Sequence, residues 1–375
     1  MSAERAFVWG LRIGAIAALA GGGAALWAFL EEPNAFYVAW LAAFYFWLSM
    51  PLGALALLLI WDLTGGNWAP LARLPLSAMA ATLPLFAILF LPVIAGVPAL
   101  YSWSRPAVTA SLHNRWYLNI DFFFARAAGY FVIWLGFAAW RLGRREAPSG
   151  TAPRGRQAVS AIGLMLMAYS VSFAGIDWIM STEPDWFSSI YGMVVGSGQF
   201  IASLSFALIL ITVGTRGRAA DSAFGRSLAT LAMILLAGVI FWGYVSFCQW
   251  LVIWEENLKK EIPWFIERWR DPWGSVIYAL VAAHFAIPFL ALVWTPAKRS
   301  PLLVGSVCIL LLVADAVHVW WLLIPGFRDT GFSWIEPAVT IGMGGLWVLC
   351  LAGVRRLVRS RGLAWIRHEG GLIHG

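Results

Sequence analysis

Asp315 and His318 stand three residues apart inside an apolar run, a spacing that puts both on one face of a helix. An acid next to an imidazole in such surroundings suits a proton relay, because histidine takes up and passes on a proton near neutral pH. His284, Tyr244 and Asp177 lie in other apolar runs, and Asp62 closes a further one. Asp315, His318, His284, Tyr244, Asp177 and Asp62 are therefore the candidate proton pathway. No catalytic residue and no metal ligand is assigned. A second polar group, His113, Asp121, Arg126 and Glu255, gathers at the rim opposite Asp62. Plainer readings exist for both groups. Buried charges are normally paired whatever their role, so Arg126 with Asp121 or Asp177 could merely fix packing. A lone His284 is commonly a hydrogen-bonded packing residue.

The elements that position these groups follow from composition. Of 375 residues, 61% are hydrophobic and 12% are charged, against about 25% charged in a soluble domain. Mean hydropathy is +0.76. A disordered chain, a disulfide-rich secreted module and an ordinary soluble enzyme are excluded. The expected fold is an all-α polytopic membrane protein, one integral membrane domain over 1–375. A spanning helix needs about 20 mostly apolar residues. Ten runs qualify: 10–30, 36–61, 74–98, 121–141, 157–180, 190–213, 227–254, 273–294, 301–324 and 335–354. The runs are too long for strands and lack period-two alternation.

Lys and Arg set the expected orientation. The termini and the loops 62–73, 141–156, 214–226 and 295–300 hold 18 basic residues, and the opposite side holds 7. Both termini are thus expected in the cytoplasm, and the net charge of +7 is a topology signal, not a nucleic-acid footprint. The first run also reads as a signal peptide with Ala18-Leu19-Ala20 before Gly21; the expectation is that it is retained. Many of the 24 tryptophans fall near run ends, as interfacial belts require. Cys248, Cys308 and Cys350 form no CxxC pair, which argues against cysteine-held iron–sulfur, structural zinc or covalent haem. Depth at about 1.5 Å per residue separates His284 from His318 by roughly 7 Å, so the two are not expected to ligate a haem.

Three stretches carry a resemblance. The first is Leu112-His113-Asn114-Arg115-Trp116-Tyr117-Leu118-Asn119, followed by Phe122-Phe123-Phe124-Ala125-Arg126 and Tyr130-Phe131. The second is Asp177-Trp178-Ile179-Met180-Ser181-Thr182-Glu183-Pro184-Asp185-Trp186-Phe187-Ser188, leading to Tyr191-Gly192. The third runs from Phe241-Trp242-Gly243-Tyr244 through Gln249, Ile253-Trp254, Asn257 and Glu261 to Trp264 and Arg268. Together they resemble the NrfD-like (polysulfide-reductase type) membrane subunits of bacterial alternative complex III, most of all the smaller, F subunit. The resemblance spans about residues 10–355. It implies two four-helix bundles, 36–180 and 190–324, with two flanking helices. It also implies a complex in the bacterial inner membrane that oxidises quinol or menaquinol. Its partners would be a larger paralogous membrane subunit, an iron–sulfur subunit, haem-bearing cytochrome c subunits and a terminal oxidase. Lys259, Lys260 and Glu255 depart from the pattern at the outer rim.

The resulting expectation is a membrane subunit of a quinol-oxidising complex. It is not catalytic alone, contributes a proton pathway and shares a quinol site at His113, Asp121, Arg126 and Glu255. An independent proton-coupled transporter and a purely structural anchor for redox subunits are the alternatives. No internal repeat or paired broken helices favour the transporter.

Overall fold

The computed structural model describes residues 3–66, 68–109, 114–144, 152–214, 223–328 and 331–370. His113 lies outside them. Every regular element among them is helical. Ten helices are long and apolar enough to cross a membrane: α1 Val8–Glu31, α2 Pro33–Thr64, α3 Arg73–Ala95, α4 Ile120–Leu142, α5 Arg154–Thr182, α6 Tyr191–Gly214, α7 Phe224–Glu256, α8 Trp273–Val293, α9 Pro301–Gly326 and α10 Ile335–Val354. The chain is an all-α polytopic membrane protein.

Proline and capping residues shape these helices. Pro84 and Pro92 divide α3 into Arg73–Ala80, Leu83–Leu89 and Leu91–Ala95, because each lacks the N–H that would continue the ladder. The side chain of Asn119 accepts from the Phe122 N–H and caps α4, and Ser300 caps α9 in the same way through Leu303.

Helices α2, α3, α4 and α5 pack in a ring, and so do α6, α7, α8 and α9. The two rings meet where α2 crosses α6 and α9 and where α5 meets α6. Burial follows this order: 83% of the apolar window of α2 and 72% of that of α6 are buried, against 22% for α1 and for α8. Outward-facing Leu, Ile, Val and Phe on α1, α4, α7 and α8 suit contact with lipid chains. Helix α1 lies along α10, and both lean on α2. The Trp347 indole of α10 donates to Thr82 Oγ1 in the break of α3, 2.9 Å away.

Candidate functional site

Pro288 is the local cause of the central geometry. Its ring cannot donate to, and collides with, the carbonyl of His284 four residues back. The helix responds by widening into a π turn over Val281–Ala286, within which His284 lies. There His284 is fully buried, and neither of its ring nitrogens has a hydrogen-bond partner among the described residues. Asp315 and His318, both buried, face it from α9. The His284 Nε2 stands 3.8 Å from Asp315 Oδ1, and the two imidazole centroids are 5.8 Å apart. Trp242 of α7 packs edge-on against both rings, at 4.1 and 5.2 Å. The two histidines, expected roughly 7 Å apart in depth, bring their ring centroids to within 5.8 Å of one another.

Asp315 also meets α6. An added Cβ at Gly198 of α6 would lie 2.9 Å from Asp315 Oδ1, so the carboxylate occupies room that only glycine leaves. The Tyr45 phenol of α2 is buried as well, and its hydroxyl has no hydrogen-bond partner among the described residues. The 3.8 Å between imidazole and carboxylate exceeds a hydrogen bond, so transfer between them requires a bridging water or a small side-chain rotation.

The three side chains offer one donor atom each, all within 4.8 Å of one another, a set able to meet a metal ion. Sequence reasoning assigned no such set. The same set can also exchange a proton.

A second cluster lies near the C-terminal end of α5. Asp177 accepts from Arg126 Nε (2.7 Å) and Nη2 (3.0 Å), from Tyr117 Oη (2.8 Å) and from Tyr130 Oη (2.7 Å). Arg126 also donates to the Tyr117 carbonyl and lies over the Tyr117 and Phe122 rings. Four donors fill the carboxylate's acceptor sites. Outside the span, burial and then the Asp177 charge raise the Tyr117 phenol above its usual pKa, so it stays a donor. Asp121 is exposed in the first turn of α4, where the helix dipole favours an acid.

A third pair closes the same face over the second ring. Arg268, fully buried, donates to Glu183 Oε1 at 2.5 Å and to the carbonyls of Trp264, Trp321 and Leu322. Its guanidinium lies 3.7 Å from the Trp264 ring centroid, and Trp264 stacks on Trp186 at 4.2 Å. Burial lowers the Arg268 pKa, with Glu183 opposing that shift.

Asp62 sits at the opposite face. It pairs with Arg141 Nε at 2.8 Å and Arg156 Nη2 at 2.7 Å, and accepts from Ser160 at 3.1 Å. Asp315, His318 and His284 therefore come together, while Asp177 and Asp62 occupy separate ion-pair clusters. Tyr244 is 63% exposed on the outer surface of α7, and Glu255 is exposed at its end. Sequence reasoning missed Tyr45, Gly198, Trp242 and the Glu183–Arg268 pair. Pro288, four residues after His284, was the available signal. No protein-family model matches the chain, and no curated protein does.

Proposed function

We propose that this chain is the proton-handling membrane subunit of a quinol-oxidising respiratory complex of the NrfD-like type its motifs resemble. One observation carries the reading. Three titratable side chains from α8 and α9 converge in the apolar interior, and the imidazole of His284 is left without a hydrogen-bond partner. Buried polar groups in proteins are mostly satisfied, and intramembrane ionisable groups are expensive, so three of them meeting in one place support a functional reading. Asp177, held by Arg126, Tyr117 and Tyr130, and Asp62, held by Arg141, Arg156 and Ser160, serve the scaffold. In this reading the chain resides in a bacterial inner membrane with both termini in the cytoplasm. Redox chemistry belongs to its partners: a larger paralogous membrane subunit with the main quinol site, an iron–sulfur subunit, cytochromes c carrying haem, and a terminal oxidase.

The test uses the complex isolated through a tag on this chain and placed in proteoliposomes. Haem absorbance should travel with the chain. Asp315→Asn keeps shape and much of the hydrogen bonding but cannot carry a proton. Assembly should persist while quinol-driven proton release falls about 10-fold or more. Normal proton stoichiometry in the mutant would leave the cluster as packing and remove the proton role. A chain that purifies without redox partners would instead favour a transporter.

A further inference from the structure

We propose that His284, His318 and Asp315 bind one divalent transition-metal ion, of the zinc class, between α8 and α9. The inference goes beyond the proton reading and is compatible with it. Three protein ligands leave one position of a tetrahedral ion to water, and a water on such an ion gives up a proton near neutral pH.

Three observations carry the site. The first is convergence. All three side chains are buried, and one ligand atom from each lies within 4.8 Å of the other two. His284 Nε2 stands 3.8 Å from Asp315 Oδ1. Tetrahedral zinc holds nitrogen and oxygen at about 2.0–2.2 Å, which sets its ligand atoms about 3.4 Å apart. Small side-chain rotations close the remaining gap.

The second is the orphaned imidazole. Neither Nδ1 nor Nε2 of the fully buried His284 has a hydrogen-bond partner among the described residues. Buried polar groups are mostly partnered, and Nε2, the atom facing the carboxylate, is where an ion would satisfy this one.

The third is the backbone that presents the ligands. Asp315 and His318 have the acid-x-x-His spacing by which helices in bundles offer two ligands to one ion. His284 lies within the π turn of α8, a distortion that recurs at functional sites. The donor set also selects the ion. Two imidazoles and one carboxylate suit zinc and its transition-metal neighbours, whereas calcium and magnesium take shells made of oxygen.

The experiment uses the full chain, purified in detergent through a tag without histidines and stripped with a chelator. After loading with Zn2+ and desalting, elemental analysis should find about one ion per chain. Zn2+ affinity should fall at least about 100-fold in His284→Gln and in His318→Gln, beyond the cost of losing a residue that only orients a ligand. His368→Gln, near the end of the sequence, should bind as the unaltered chain does. Co2+ supplies a reading that needs no variant: one equivalent should give the intense visible absorption of a tetrahedral site, and Zn2+ should displace it. No retained Zn2+ together with the weak absorption of aqueous Co2+ overturns the site. Zn2+ retention that both His→Gln variants share with the unaltered chain overturns it too. Neither measurement depends on turnover. A chain that holds no ion, with proton release impaired in the Asp315→Asn complex, overturns the site and leaves the proton reading standing. A chain that holds the ion, with normal proton release in that complex, removes the proton role and leaves the site.

Discussion

Arg126 and Asp177 meet edge to edge: two guanidinium nitrogens of α4 donate to the two carboxylate oxygens of α5, at 2.7 and 3.0 Å. The pair is buried, with side-chain exposures of 9% and 0%. Removing one partner leaves the other charge uncompensated. Arg126→Leu should therefore destabilise the protein by about 3–5 kcal/mol. Arg126→Lys should destabilise it less, since lysine keeps the charge and loses only the fork. Thermal unfolding of the detergent-solubilised protein reads both, and equal losses would show that the charge contributes nothing.

Gly21 of α1 and Gly342 of α10 meet backbone to backbone where the two helices cross. A Cβ on Gly21 would lie 2.2 Å from the Gly342 Cα, a backbone atom that cannot swing aside. Gly21→Val should push α1 off α10 and destabilise the protein by at least about 1–3 kcal/mol. Gly22→Ala, with nothing within 4 Å of its added Cβ, should be neutral or slightly stabilising. The same unfolding measurement distinguishes them, and an unaffected Gly21→Val would mean that α1 is not docked on α10.

The ion-pair clusters divide the loops between two faces. Asp62, Arg141 and Arg156 converge at one end of the first ring, and Tyr117, Arg126 and Asp177 at the other. Accessibility labelling of single cysteines in 145–150 should agree with labels at both termini. Labels at Asp185 or Lys259 should report the opposite side. Agreement between Asp185 and 145–150 would overturn the span assignment.

The sequence alone determined the helices and their order. Each apolar run of about 20 residues can satisfy its backbone in lipid only as a helix, so ten runs became ten spans within a few residues of their expected limits. It also placed Asp315 and His318 on one face, because the 3.6-residue period is local. Tertiary structure decided which faces meet. Periodicity does not fix the height or rotation of one helix against its neighbour, so nothing local chose Asp177 over Asp121 for Arg126. Nothing local paired Asp62 with Arg141 and Arg156, or turned Tyr244 outward. The packing of α8 on α9 decided the rest: it set His284, within the π turn ahead of Pro288, 3.8 Å from the Asp315 carboxylate, and the packing of α7 brought Trp242 edge-on to both histidine rings.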